Sequence, residues 1–362
     1  MNAMNTDMNA PHPLGQPLQG VRVVEFEGIG PGPMAARILA DWGASVTVVA
    51  RPGKQAVSEQ LGGSGESVMR RGKQLVTLDL KTPSGQQQAL ELLAAADVLI
   101  EGNRPGVMER LGLGPADCAR VQPRLVYGRM TGWGQHGPLS QAAGHDLNYV
   151  ALSGLLSLAG PVGSAHPPIV PPTVLGDATG ALGLAFGIVC AVLDVRSGGP
   201  GRVVDAAIVD VVAMLGMLAQ WIRGNGQLDG AVPSPFHDSP FYDTYRCADG
   251  RFITIGALEP PFYAQLLERM GLHDVPAQSQ YDSTAWPALK QRFAQVFASR
   301  SRDEWCAALE GTDVCFAPVL SMGEAARHPH HLARGTFAQE EGGGIAAAAA
   351  PRMLPLMPAK PD

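Results

Sequence analysis

The feature that most restricts this chain is the alternation of short apolar runs with helical stretches across its first third. Residues 21–26 (Val-Arg-Val-Val-Glu-Phe) predict a strand. The Gly28-Ile-Gly-Pro-Gly-Pro33 turn follows, then a helix over 34–42 that Gly43 is suited to end, then a second strand over 45–49. Further strands are predicted over 74–80, 97–101 and 124–130, with a helix over 84–95 after the first of them. Strands that alternate with helices cannot pair as hairpins, so they imply a mostly parallel sheet with helices on its faces.

Two apolar helices are predicted next, over 178–193 and 205–221, the first as a buried helix. The pattern then changes. Residues 243–255 read as a hairpin turning at 248–250, followed by helices over 261–270 and 286–298. The fold class is therefore α/β, a Rossmann-like large domain with a mostly parallel sheet plus a smaller α+β domain. The expected organisation is a flexible N-terminus over 1–19, a large domain over 20–206 and a linker helix over 207–235. A small domain over 236–323 and a return linker with C-terminal tail over 324–362 complete it. The Gly342 to Gly344 and Ala346 to Ala350 stretch is low-complexity and expected to be mobile.

The first turn resembles a dinucleotide fingerprint, but Pro33 stands at its third glycine and Arg51 stands where an acidic ribose ligand belongs. Nicotinamide chemistry is disfavoured on that ground. A net charge of −6 argues against nucleic acid as a partner. Five scattered cysteines with no CxxC pair fit a reducing compartment and give neither a zinc site nor a disulfide frame. The N-terminus lacks a signal-peptide pattern and the 178–193 run is short and Gly-rich for a membrane span, so a cytoplasmic protein without a membrane partner is expected.

Three residues stand where proton chemistry is possible. His145, in Gly144-His-Asp-Leu-Asn-Tyr149, sits at the entrance of a helix predicted over 147–158, where backbone N–H groups can stabilise an oxyanion. Asp177 follows Gly176 and precedes the next apolar helix. Glu259 lies just after a strand, where a carboxylate can orient a histidine. Each residue taken singly also fits a plainer role: a solvent-facing histidine beside a capping Asp146, a capping Asp177, a solvated loop glutamate. Arg51, Arg70, Arg71, Lys73, Lys81, Arg104 and Arg110 form a basic group, several just past strand ends, suited to the phosphates of a nucleotide-like molecule. Met214, Met217 and Leu218 are placed on one helix and could line an acyl groove.

Eight ordered segments resemble the family III CoA-transferase (CaiB/BaiF) superfamily from about residue 18 to 337. They are Gly20-Val-Arg-Val-Val-Glu25, Gly28-Ile-Gly-Pro-Gly-Pro33, Glu101-Gly-Asn-Arg-Pro-Gly106, Arg129-Met-Thr-Gly-Trp-Gly-Gln135, Gly144-His-Asp-Leu-Asn-Tyr149, Gly176-Asp177, Tyr242-Asp-Thr-Tyr245 and Gly256-Ala-Leu-Glu-Pro260. Asp177 is shared by all branches of that superfamily, and in transferases its counterpart is the nucleophile. The combination with His145 and Glu259 resembles the α-methylacyl-CoA racemases within it. The resemblance implies an interlocked homodimer in which Glu259 reaches the site from the partner chain and orients His145. It implies CoA contacts at Arg51, Leu78, Asp79, Leu80, Lys81, Gly102, Asn103, Arg104, Arg110, Gly144, His145, Asp146, Leu147, Asn148 and Tyr149. It requires no cofactor, since CoA is part of the substrate, and no metal.

The implied activity interconverts (2R)- and (2S)-2-methylacyl-CoA thioesters. His145 serves the S-epimer and Asp177 the R-epimer, and the backbone N–H of Asp146 is the oxyanion donor. Two alternatives are a family III CoA-transferase using Asp177 as nucleophile, and a catalytically silent protein that binds CoA esters. This chain has Thr173 where the racemase pattern has an Asn four residues before the Asp, and a longer stretch between Arg51 and Arg71.

Overall fold

The computed structural model describes residues 16–53, 65–160, 164, 167–228, 230, 232–339 and 344–353. Of the expected flexible N-terminus over 1–19, residues 1–15 lie outside the described residues, as do most of the longer segment after Arg51 and the tail from 354. Residues 16–19 form an ordered turn in which the Leu18 N–H donates to the Trp42 carbonyl. The chain divides into two compact units. The larger one comprises 1–156, 170–215 and 335–362, and the smaller one 157–169 and 216–334.

The larger unit is built on a six-stranded sheet of β1 (Arg22–Phe26), β2 (Ser45–Ala50), β3 (Lys73–Thr77), β4 (Val98–Glu101), β5 (Val126–Thr131) and β6 (Arg202–Ala207). All pairs are parallel and the order is β3-β2-β1-β4-β5-β6. Alternate residues feed opposite faces. Val23, Val98, Ile100, Val126 and Met130 join one core with Ala35, Leu39, Leu184 and Ile188. Val24, Leu99 and Tyr127 join the other with Ala89, Leu93 and Leu113. The central strands are covered on both faces, which is why β1 and β4 are almost wholly buried, whereas the edge strands β3 and β6 stay largely exposed, with Leu75 and Val203 facing outward. Strand order reverses between β1 and β4, so the loops leaving their C-terminal ends part and open a crevice.

Three expectations change. Residues 205–207 end strand β6 instead of starting a helix, pairing Arg129 with Asp205 and Thr131 with Ala207. The expected linker helix is two helices, Ile208–Leu215 and Met217–Gly224, separated at Gly216. Met214 and Met217 therefore occupy different helices, and both are exposed. The helix over 147–158 is shorter, Asp146–Leu152, because Gly154 turns the chain at φ +86° into a single 3-10 turn at Leu155–Leu158.

The helix Thr179–Arg196 is not buried all round. Ala181, Leu184, Ala185 and Ile188 enter the core, whereas Leu182, Phe186, Val189 and Leu193 face outward. The 23-residue stretch Val174–Arg196 is apolar enough to cross a membrane by composition, yet its inner face is a wall of the sheet's core. In the alanine-rich stretch, Ile345–Ala347 is an ordered strand paired antiparallel with Phe337–Gln339, while 342 and 343 lie outside the described residues.

The smaller unit contains the antiparallel sheet of β7 (Tyr242–Arg246), β8 (Phe252–Gly256) and β9 (Phe316–Pro318). Its core is aromatic: Phe241, Tyr245, Tyr263, Trp286, Phe293, Phe297 and Trp305 pack together beside the helices Pro260–Arg269, Trp286–Phe297 and Arg302–Leu309. Full burial of side chains of this size contributes about 1.5–3 kcal/mol each.

Candidate active site

The C-terminal ends of the parallel strands carry most of the expected CoA contacts. Arg51 follows β2, and its N–H donates to Glu27 Oε2 at 3.2 Å. Residues 78–81 form the turn after β3, with Leu78 buried and Asp79 and Lys81 not. The Lys81 N–H donates to Asp79 Oδ1 at 3.0 Å. Gly102, Asn103 and Arg104 follow β4. A buried network shapes this loop: Glu101 accepts from Arg129 Nε at 3.0 Å and from the Asn103 N–H at 2.7 Å. Arg110 is exposed at the end of a short helix, Val107–Arg110.

A cleft of about 230 Å³ opens at the ends of β4 and β5; Arg51, the 78–81 turn and Arg110 are not among its lining residues. Its lining joins the post-β4 loop (Gly102 to Pro105), the post-β5 loop (Thr131 to Trp133) and the segment around Gly144, His145 and Tyr149. Trp133 and Tyr149 meet edge to face at 4.7 Å between centroids, and the Tyr149 hydroxyl donates to the Gly144 carbonyl. That bond ties the approach to His145 onto its own helix. Leu147 and Asn148 are exposed on that helix.

His145 is the N-cap of the Asp146–Leu152 helix, in extended conformation. Its N–H donates to Asn148 Oδ1 at 3.0 Å, and its carbonyl accepts from Asn148 N–H at 2.8 Å. Asn148 thus fixes the histidine's backbone while the imidazole stays exposed. The Asp146 N–H lies in the first turn and has no intrahelical acceptor, as an oxyanion donor requires.

Asp177 stands in a π-helical turn, Val174–Ala178, that opens the Thr179–Arg196 helix. A Cβ placed on Gly30, in the loop after β1, would lie 3.5 Å from Asp177 Oδ2. The carboxylate therefore faces the Gly-Pro turn that borders the crevice. Burial pushes its pKa up, the Asp146 charge adds to that rise, and His145 pulls the other way. His145 and Asp177 are thus electrostatically in touch, and Asp177 is shifted toward the range where a carboxyl can both take and return a proton.

One feature was not legible in advance: the Asp146 side chain. It is 7% exposed and accepts three backbone N–H groups, from Thr173 at 3.1 Å, Gly176 at 2.8 Å and Asp177 at 2.7 Å. From the sequence, Asp146 is a helix cap, a CoA contact and the donor of a backbone N–H, with no role for its carboxylate toward the Asp177 turn. A capping signature three residues long carries no sign of partners 27 to 31 positions away.

Thr173 occupies a left-handed conformation, φ +63°, rare for a β-branched residue. Asparagine tolerates that region better. Thr173→Asn is therefore expected to raise stability by about 0.5–1 kcal/mol, read as an upward shift in thermal midpoint.

Glu259 lies in the smaller unit as the N-cap of the Pro260–Arg269 helix. Its carbonyl accepts from Phe262 and Tyr263 N–H at 3.0 Å each; burial raises the pKa of Tyr281 and Cys315, and the exposed Glu259 carboxylate nearby adds to the rise.

The CoA-transferase family III signature matches residues 18–361. Alpha-methylacyl-CoA racemase of Homo sapiens is 42% identical over 347 residues, covering 93% of this chain and 86% of the relative. A probable fatty acyl-CoA transferase of Mycobacterium tuberculosis is 32% identical over 329 residues, covering 83% of this chain and 82% of the relative. The crystal structure of Rv3272 from M. tuberculosis superposes with a TM-score of 0.76 at 28% identity, covering 94% of this chain and 93% of that one. The family signature spans nearly the whole chain and the fold superposes over 94% of it, and the chain belongs to the CoA-transferase family III.

Proposed function

We propose that this protein is an α-methylacyl-CoA racemase that epimerises 2-methylacyl-CoA thioesters by a two-base proton transfer. The observation that carries the reading is the clamp of the Asp177 turn onto the His145 helix by Asp146. A histidine, a raised-pKa carboxyl and an uncommitted helix-start N–H are gathered beside the loops that leave the C-terminal ends of β1, β4 and β5. The 42% identity to a racemase supports it.

The chemistry balances without an external reagent. From the R-epimer, Asp177 takes the α-proton and the C–H electron pair moves onto the thioester carbonyl as an enolate. The Asp146 N–H stabilises that oxygen, and protonated His145 delivers a proton to the opposite face. The reverse reaction exchanges the roles. A positioned acid or base contributes about 10²–10⁴ in rate, and a preorganised oxyanion donor about 3–4 kcal/mol. CoA enters as part of the substrate, and no separate cofactor is called for. Its phosphates would meet Arg51, Lys81, Arg104 and Arg110, with Leu78, Asp79, Leu80, Gly102, Asn103 and the 144–149 segment completing the contacts. The scattered thiols fit a cytoplasmic setting.

The outward stripe of the Thr179–Arg196 helix supports a homodimer. Leu182, Phe186 and Leu193 are 55%, 67% and 67% exposed, and spacings of four and seven residues put them on one helix face. A second copy would cover this face and bring Glu259 of the partner subunit to His145, orienting the imidazole.

The test is incubation of a (2R)-2-methylacyl-CoA in D₂O. Deuterium at Cα together with appearance of the S-epimer supports the proposal. Transfer of CoA to an added carboxylic acid through a hydroxylamine-trappable Asp177 adduct, with no α-exchange, supports the transferase reading instead, which the family's own description favours.

A further inference from the structure

We propose that the Asp146 carboxylate is a positioning residue for the reaction, setting the separation of the two acid/base groups by bolting the backbone of the Asp177 turn to the first turn of the His145 helix. This rests on the roles of His145 and Asp177 proposed above.

Asp146 is the first residue of its own helix, where an acidic side chain ordinarily serves the adjacent amides or solvent. Here it serves another segment. Oδ1 accepts from Gly176 and Asp177, and Oδ2 from Thr173, so both oxygens are committed to the turn that presents the second acid/base group. The turn is shaped for it. A Cβ on Gly176 would lie 2.3 Å from Asp146 Oδ1, so only glycine lets the carboxylate reach these amides. Thr173 adopts its left-handed conformation while its N–H points to Oδ2. The same residue carries the candidate oxyanion N–H. One side chain thus ties the oxyanion donor, His145 and Asp177 into one rigid piece. A misplacement of about 1 Å at such a site costs on the order of 10²-fold in rate.

The charge also matters. The groups facing the Asp177 carboxyl are Asp146, His145 and Tyr149, with Gly30 uncharged beside it. Asp146 opposes ionisation of Asp177 and His145 favours it.

The experiment compares Asp146→Asn with the intact protein, with (2R)-2-methylacyl-CoA as substrate across pH. Asparagine can keep the Oδ1 contacts, but it sets an NH₂ against the Thr173 N–H and removes the negative charge. The expected result is a kcat reduced about 10–100-fold with KM little changed, and an acid limb of kcat/KM displaced to lower pH, since Asp177 then ionises more readily. A merely structural loss would lower the thermal midpoint without moving that limb. Gly176→Ala is the second variant. It displaces the Asp146 carboxylate without removing any titratable group, so kcat should again fall, and it serves if Asp146→Asn does not fold. Wild-type kcat and an unmoved acid limb in Asp146→Asn, or wild-type kcat in Gly176→Ala, would overturn the positioning role. Full activity in Asp177→Ala would overturn the acid/base assignment instead, so the two failures are distinguishable.

Discussion

Replacing His145 or Asp177 by alanine is expected to lower the epimerisation rate by about 10²–10⁴-fold in either case, with the fold intact. The reason is geometric. Inversion needs a base on one face of the planar enolate and an acid on the other, so neither group can stand in for its partner. His145 is exposed at its helix entrance and Asp177 is half-buried on a helix-start turn, so neither substitution empties a packed core. Thermal midpoints should therefore move little while kcat collapses. The pH dependence follows with a definite sign. Burial and the Asp146 charge raise the Asp177 pKa. The acid limb for the R-epimer should accordingly lie above the pH range of an ordinary aspartate, because Asp177 must be ionised to accept the proton. Measuring kcat/KM for that epimer from pH 4 to 9 checks this.

The largest expected effect on stability lies beneath the site. Lys73 Nζ donates to Glu25 Oε2 at 2.6 Å and to the Pro33 carbonyl at 2.9 Å, and the two side chains are 1% and 4% exposed. This pair ties the start of β3 to the end of β1 and to the first turn of the helix that follows the Gly-Pro loop. Lys73→Met leaves the Glu25 carboxylate buried and unpaired and is expected to cost about 3–5 kcal/mol, measured by urea unfolding at pH 7. Burial already pushes the Glu25 carboxyl up and the Lys73 ammonium down, each against the pull of its partner. A carboxyl whose pKa is raised in the folded state binds its proton more tightly there than when unfolded. The deficit of Lys73→Met should therefore shrink as pH falls from 7 toward 5. The double variant Glu25→Gln, Lys73→Met should recover part of it, since no uncompensated charge then remains.

Much of this architecture was legible because the relevant signals are local. Strands β1, β2, β4 and β5 carry short apolar runs, β3 is a more polar edge strand, and each is found within a few residues of its expected place. Strand β6 was not legible. Its Val203-Val-Asp-Ala-Ala207 continues without a break into the helix from Ile208, and only pairing with β5 separates the two. The outward face of the Thr179–Arg196 helix was hidden for a related reason. A helix apolar on every side reads as one buried on every side, until the packing shows which side is covered.

The candidate site divides in the same way. His145 and Asp177 follow from their helix entrances and from family resemblance. The function of the Asp146 side chain follows from neither, because its partners come from a distant turn. Thr173 marked a departure in the sequence, and its left-handed backbone and bond to Asp146 show how the turn is held without the asparagine.

The most direct test of the two-base account is epimer-resolved exchange in D₂O, run on His145→Ala and Asp177→Ala with each pure 2-methylacyl-CoA epimer. The account expects His145→Ala to exchange the α-hydrogen of the R-epimer alone, Asp177→Ala that of the S-epimer alone, and neither to invert at an appreciable rate. Epimerisation at the wild-type rate by either variant, or loss of the same epimer's exchange in both, would contradict it.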